Sequence, residues 1–305
     1  MTNNAKPFLK WAGGKTQLLE QFNDFYPKEL KEGKIKTYIE PFIGGGAVFF
    51  SLQSKYDFEK IIINDINKNL VITYKVIQSN VEKLIDILRK THDIYNDNED
   101  MEFKEKIYYK EREKFNAENN SITADIFNEE WIEHAARMIF LNKTCFNGLY
   151  RENKKGGFNV PFGKRKNAPI LDEGNLKEVN MALKKVIILN GDFTKVEEYM
   201  DKNTFMYIDP PYRPLSNTSN FKDYSSTEFN DESQIRLGNW VREVSIERGT
   251  KIMLSNSDPK NTNEEDNFFD ELYSGFKIER VRAVRNINSK GNGRGAISEI
   301  LVSTY

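Results

Sequence analysis

Cysteine and histidine are almost missing from this chain of 305 residues. A single cysteine, Cys145, excludes an internal disulfide, and two distant histidines, His92 and His134, offer no zinc-ligand spacing. Long apolar runs are lacking too. Nothing approaches the roughly 18 uninterrupted apolar residues of a membrane span, and the opening MTNNAKPFLKWAGGK holds no apolar signal segment. Nor does either charge dominate, since 45 Lys and Arg face 46 Asp and Glu. Any basic surface for a polyanionic partner must therefore be local. These absences predict a cytoplasmic, metal-free protein, neither secreted nor inserted in a membrane. With 38% hydrophobic residues, the length suits one large α/β domain, or one domain carrying an inserted second.

Short apolar runs fall in two blocks. The first comprises TYIEPFIGGGAVFF and KIIINDIN; the second comprises KKVIILNGDF, TFMYIDPPY, KIMLSNS, FKIERV and AISEILVSTY. Runs of β-branched and aromatic residues closed by Asp, Asn or Gly suit buried strands of a mostly parallel sheet. Helices are expected between them, as at Ala47–Gln53 and residues 234–247, so the class is α/β. Between the blocks, residues 74–142 show helical spacing and heavy charge (VEKLIDILRKTHDIY, EEWIEHAARMIFLN), with an acidic, Asn-rich patch at 96–102 that reads as a loop. This is a helical insertion. Its end is basic: over residues 150–166, six Lys and Arg face the single acid Glu152, a net +5. Runs at 146–151 and 158–162 flank the Gly-rich ENKKGG, which is hairpin chemistry. A charged, aromatic ribbon suits a DNA groove, although charge alone points more readily to a solvated hairpin.

The run YIEPFIGGGAVFF reads as strand, glycine turn and helix start. Consecutive glycines let backbone approach a ligand closely and leave N–H groups free for an anion. Asp65, 21 residues beyond Gly44, closes the next strand, where a carboxylate can accept from both hydroxyls of a ribose. Asp192 with Phe193 closes a third, with a carboxylate for a base amino group and a ring for its face. Each alone could be a tight turn or a cap. Three in order at successive strand ends point to an adenosine-containing ligand.

In MYIDPPYRPLS, the prolines fix φ and donate nothing, so Asp209 and the Pro210 carbonyl form a rigid pair of acceptors. Two acceptors aimed at one point suit an exocyclic amine, and Tyr212 can stack on the ring that bears it. Such an amine is a poor nucleophile because its lone pair is delocalised. Binding both hydrogens stabilises the positive charge that develops as it attacks. The acceptors do not themselves choose adenine over cytosine, and a Pro-rich turn can also simply cap a strand.

In order and over nearly the whole chain, FLKWAGGKTQLL, EPFIGGG, NDIN, FNGLYRENKKGGFNVPFG, DPPYRPLS and LSNSD resemble the Dam-type, D12 class DNA adenine-N6 methyltransferases, S-adenosylmethionine enzymes of the α arrangement. The NGLYR and FNVPFG blocks are the most specific, since Asp-Pro-Pro-Tyr occurs in other amino-methyltransferases. The resemblance implies a Rossmann-like sheet of seven strands, the last antiparallel, in agreement with the expected C-terminal pair 276–281 and 297–303. It implies a catalytic domain from residues 1–74 and 167–305, and an inserted, mostly helical target-recognition domain over 75–166 that carries the β-hairpin. Trp11, Lys15, Asp65 and Asp209 match the family's S-adenosylmethionine contacts, with Glu40, Phe42, Gly44, Gly46, Asp192 and Phe193 lining the same pocket. Asp209, Pro210, Pro211 and Tyr212 become the catalytic turn.

On the DNA side the resemblance assigns contacts to Lys10, Asn147, Leu149, Arg151, Asn159, Pro161 and Arg165. An Arg against guanine O6 and N7 is the commonest specific major-groove contact, which suits Arg151. Relatives with this hairpin often read GATC, although Lys164-Arg165 stands where they commonly have Arg-Tyr. The implied reaction moves a methyl group to N6 of a flipped adenine in double-stranded DNA and leaves S-adenosylhomocysteine. Residues 213–230 and 285–295 are expected to be mobile loops closing over the DNA. A cognate restriction endonuclease is a partner if the chain is half of a restriction–modification pair, and a monomer or weak dimer is expected. Methylation of cytosine N4 or of RNA, and a catalytically silent DNA-binding regulator, stay open as alternatives.

Overall fold

The computed structural model describes residues 4–213, 229–284 and 296–305. The two expected closing loops lie outside the described residues, except for Arg213, Phe229 and Asn230. Two short helices, Leu19–Phe25 (α1) and Lys28–Lys31 (α2), precede Thr37–Glu40 (β1), Ala47–Gln53 (α3) and Lys60–Asp65 (β2). Three long helices follow: Lys68–Asn96 (α4), Met101–Asn119 (α5) and Glu130–Thr144 (α6). The chain then runs through Glu173–Leu183 (α7), Val186–Asn190 (β3), Thr204–Ile208 (β4), Asp231–Glu247 (α8) and Lys251–Ser257 (β5). It ends with Phe268–Leu272 (α9), Lys277–Val284 (β6) and Ala296–Ser303 (β7).

The seven strands among the described residues form one sheet in the order β3-β2-β1-β4-β5-β7-β6. The first five are parallel, and β7 runs antiparallel to both its neighbours. The expected sheet, with its antiparallel last strand, is borne out. Strand alternation splits the buried residues between two faces. Tyr38, Ile61, Ile63, Phe205 and Tyr207 join one cluster, while Ile39, Ile62, Met206 and Ile208 join the other. Each such side chain taken from water contributes about 1.5–3 kcal/mol. The order reverses between β1 and β4, one strand leading to β2 on its left and the other to β5 on its right, which opens a crevice beyond their carboxyl ends.

The first cluster continues from the sheet into the helical insertion, taking in Tyr95, Tyr108, Trp131 and Phe158. Helix α4 spans that join. Asn67 caps it by accepting from Leu70 N at 3.0 Å, and Asn80 breaks its geometry at φ −138, ψ 36. The expected domain boundary at 74/75 falls inside this helix. The expected loop within the acidic patch at 96–102 is short, residues 97–100: α4 reaches Asn96 and α5 begins at Met101, with Asp100 accepting from Glu102 N at 2.8 Å. An Asp cap thus shortens the expected loop.

The hairpin is less regular than its pattern suggests. Its arms meet at isolated pairings, Cys145 with Phe162 and Glu152 with Phe158, and Phe146–Gly148 forms a 3-10 turn with Asn147 at φ 58. The reason lies in α5, whose side chains take backbone groups that a ladder would use. Asn116 bonds both the N–H and the carbonyl of Phe158 (2.8 and 3.1 Å), and Tyr108 Oη donates to the Val160 carbonyl (2.7 Å).

Candidate active site and DNA-reading surface

A cavity of about 1010 Å³ opens at the carboxyl ends of β1, β2 and β4. Every catalytic and cofactor residue expected from the sequence lines it: Trp11, Lys15, Glu40, Phe42, Gly44, Gly46, Asp65, Asp192, Phe193 and the turn from Asp209 to Tyr212. Their positions follow from backbone constraints. Gly44 and Gly46 hold φ values of 46 and 73, open to glycine at little cost. A Cβ at Gly44 would meet Trp11 Cδ1 at 2.9 Å, and one at Gly46 would meet Tyr74 Oη at 2.7 Å. The Gly44 N–H already donates to Asp65 Oδ2 at 3.0 Å, while Asn67 N donates to Oδ1 at 2.9 Å. The carboxylate is therefore pinned across the turn. Burial pushes its pKa up to about 6 against these backbone hydrogen bonds.

Asp209 ends β4 beside an ammonium. Lys15 Nζ, its side chain only 3% exposed, lies 2.9 Å from Asp209 Oδ1, donates to the Gly13 carbonyl at 2.5 Å and sits 4.5 Å above the Tyr212 ring. Burial raises the Asp209 pKa, and Lys15 opposes the shift. Glu40, also buried, is held well above the carboxylate range by desolvation and then by the Asp209 charge, and it accepts from Tyr38 Oη at 2.6 Å. Of these two acids, Asp209 is the one paired directly with the Lys15 ammonium.

Supports that the sequence reading did not assign complete the turn. Ser255 Oγ contacts both Asp209 Oδ1 (3.1 Å) and Tyr207 Oη (2.8 Å), Tyr212 Oη donates to Glu299 Oε2 (2.6 Å), and Gln234 Nε2 donates to the Pro211 carbonyl (2.9 Å). Ser255 lies within the quoted LSNSD. Glu299 comes from the antiparallel strand 87 residues further on, beyond the reach of any local motif.

At the third strand end, Asp192 is already engaged. Arg236 donates to both its oxygens (2.8 and 2.6 Å) and lies 4.5 Å from the Phe193 ring centroid. This guanidinium, more than burial, sets the direction of the Asp192 shift, down to about 2. A base amino group would share or displace Arg236 here.

The residues expected to face DNA gather around the hairpin. Asn142 joins two backbone segments, accepting from Lys10 N (2.9 Å) and donating to the carbonyls of Lys10 (2.9 Å) and Gly148 (3.2 Å). Lys10 Nζ donates to the Asn147 carbonyl (2.6 Å), which brings Lys10 and Asn147 together, and Leu149 follows two residues on, its N–H donating to the Phe146 carbonyl. Across the hairpin, Arg151 Nε donates to Asn159 Oδ1 (2.7 Å), preorganising the guanidinium. Pro161 is exposed beyond it, and its carbonyl accepts from Phe146 N at 2.9 Å. Arg165 lies further along, its carbonyl accepting from Tyr95 Oη (2.8 Å).

This sheet order, with an Asp-Pro-Pro-Tyr turn closing β4 above a glycine turn, defines an amino-methyltransferase as a class. The chain belongs to the D12 class N6 adenine-specific DNA methyltransferases, whose family profile matches residues 11–287. It is similar to the type II methyltransferase M.MjaIII of Methanocaldococcus jannaschii, 51% identical over 301 residues that cover 98% of this chain and 99% of the relative. The DNA adenine methylase of Haemophilus influenzae is 33% identical, over 97% of this chain and 92% of the relative. The DNA N-6-adenine-methyltransferase of Escherichia phage P1 is 34% identical, over 97% of this chain and 35% of that protein. The protein is thus an enzyme that methylates adenine in DNA with a methyl donor. Family membership makes the choices that acceptor geometry left open, adenine over cytosine and catalysis over silent binding.

Proposed function

We propose that the enzyme uses S-adenosylmethionine to methylate N6 of adenine within GATC in double-stranded DNA, turning the base out of the helix to do so. The observation that carries this reading is the Asp209 carboxyl group, 2.9 Å from the Lys15 ammonium, in one cavity with the glycine turn and Asp65. At about 1010 Å³, that cavity matches the upper end of small-ligand sites and suits a nucleoside cofactor together with a base. Trp11, Lys15 and Asp65 would hold the cofactor, with Phe193 against its adenine. The donor's sulfonium supplies an electrophilic methyl and leaves as the neutral thioether S-adenosylhomocysteine.

The chain's own residues do the rest. Extruding the base costs a few kcal/mol, and stacking on Tyr212 returns on the order of 1–3 kcal/mol. Glu299 fixes the tilt of that ring through the tyrosine hydroxyl. Asp209 and the Pro210 carbonyl accept the two N6 hydrogens, so positive charge growing on nitrogen meets fixed acceptors. The N6 proton leaves towards Asp209 as the new C–N bond forms. Residues 75–166 serve as the recognition part and 1–74 with 167–305 as the catalytic part, with Arg151 reading a guanine.

The type II name of M.MjaIII supports a restriction–modification setting with a cognate endonuclease. The enzyme acts as a monomer or weak dimer, in the cytoplasm where its DNA lies. Tritiated S-adenosylmethionine with duplexes containing GATC or single-base variants of it, followed by nucleoside analysis, tests the reading. N6-methyladenine confined to GATC duplexes is expected; equal labelling of a variant duplex would refute the site, and N4-methylcytosine alone would refute the base.

A further inference from the structure

The hairpin and the cavity are joined by side chains that neither role requires. Tyr150, next to Arg151, is buried with its ring stacked on Trp11, 5.0 Å between centroids and 20° between planes. Trp11 in turn rests on the glycine turn, so tightly that a Cβ at Gly44 would overlap it. The Tyr150 hydroxyl donates to Glu152 and accepts from Asn69 Nδ2 at 3.0 Å. Glu152 Oε1 also accepts from Asn67 Nδ2 at 3.3 Å, and Asn67 N donates to Asp65 Oδ1 at 2.9 Å. Behind them Asn69 Oδ1 meets buried His134 Nε2 at 2.9 Å, whose other ring nitrogen lies 3.0 Å from Glu118. Two connections therefore leave one tyrosine, one through rings to Trp11 and one through hydrogen bonds to Asp65.

Packing alone would need only the Tyr150 ring. Burying its hydroxyl with a carboxylate and two amides is costly unless all are satisfied, and a satisfied network of this kind admits few alternative arrangements. We propose that Tyr150 and Glu152 are positioning residues that lock the recognition hairpin to the cofactor pocket, so that occupancy of the pocket sets the reach of Arg151. The proposal rests on Trp11 and Asp65 as cofactor contacts and Arg151 as the base reader. Coupling of two sites is reciprocal, so DNA must tighten the pocket by the same factor.

Calorimetric titration of the full chain with S-adenosylhomocysteine, with and without a cognate GATC duplex, reads the coupling as a ratio of two Kd values. A wild-type ratio of about 5 or more is expected. It should fall towards 1 in Tyr150→Leu, which loses both connections, and part of the way in Tyr150→Phe, which loses only the hydrogen-bonded one, and in Glu152→Gln, whose amide oxygen still accepts but without the charge that strengthens both bonds. Discrimination against duplexes altered at one base should fall in parallel. Circular dichroism melts establish which variants fold; if Tyr150→Leu does not, Phe and Gln decide. A wild-type ratio of 1, or a ratio unchanged in folded variants, overturns the coupling and leaves the methyltransferase reading standing. Absence of S-adenosylhomocysteine binding by the wild type would instead overturn that reading, and the coupling with it.

Discussion

Replacing Asp209 by Asn keeps the shape of the side chain and removes its charge, which isolates what that charge does for an ammonium whose side chain is 3% exposed. Lys15 would retain the Gly13 carbonyl and the face of the Tyr212 ring to offset burial. Opposite charges at 2.9 Å attract by about 6 kcal/mol at an effective dielectric of about 20. The amide oxygen still accepts a hydrogen bond, and a fifth of the Asp209 side chain meets solvent, so about 3 kcal/mol is expected, the low end for breaking a buried pair. At roughly 2 °C per kcal/mol for a chain of this size, Tm should drop by about 6 °C. Lys15→Met should cost a similar amount, because it strands the carboxylate. The double variant removes both charges and should cost far less than the sum, a coupling of about 2–3 kcal/mol. Thermal melts of the four proteins measure this, and methylation of a GATC duplex should fall by about 100-fold or more in each Asp209 variant, the double included. Additive melting shifts would refute the charge pairing. Turnover near wild type in Asp209→Asn would refute the acceptor role.

Two further outcomes follow from the site. Burial holds the Asp65 carboxyl near pKa about 6, so its neutral form persists in the folded chain where an unfolded chain would already be ionised. Its contribution to stability is therefore complete below the unfolded value and is lost as pH rises through about 6. Its capacity to accept from ribose hydroxyls runs the opposite way, and S-adenosylhomocysteine affinity should weaken about tenfold from pH 7 to pH 5. Calorimetry should find that dependence flattened in Asp65→Asn; an unchanged slope would refute it. Arg151→Ala should cost about 1–3 kcal/mol of discrimination at one base pair in competition methylation assays, and equal losses on cognate and altered duplexes would make it a phosphate contact instead.

Strand identity and order of function were legible because they rest on local patterns. The stretches III at 61–63 and FMYI at 205–208 are continuously apolar since both faces of the central strands are covered, and Asp65, Asp192 and Asp209 stand at or just beyond the strand ends. What was illegible depends on distant partners. Nothing near Asp192 announces that Arg236, 44 residues away, will bond both its oxygens. The same holds for Glu299 on Tyr212, brought together by the antiparallel insertion of β7 beside β5. The hairpin is expected from two runs flanking the Gly-rich ENKKGG, yet only some of its backbone bonds cross between the arms, because Asn116 and Tyr108 of α5 take groups at Phe158 and Val160 that a ladder would use.

That competition bears on how such a protein could acquire a new target sequence. The loop of residues 146–162 looks like a cassette, short and solvent-facing at its tip. Yet the carbonyls of Gly156, Phe158 and Val160 find their donors on Asn119, Asn116 and Tyr108. Transplanted alone, the loop would leave behind the side chains that shape it and arrive with backbone groups its host does not satisfy. If the loop reads the target as proposed, the unit that would have to be exchanged is the loop together with α5, a pair whose sequences would drift in step.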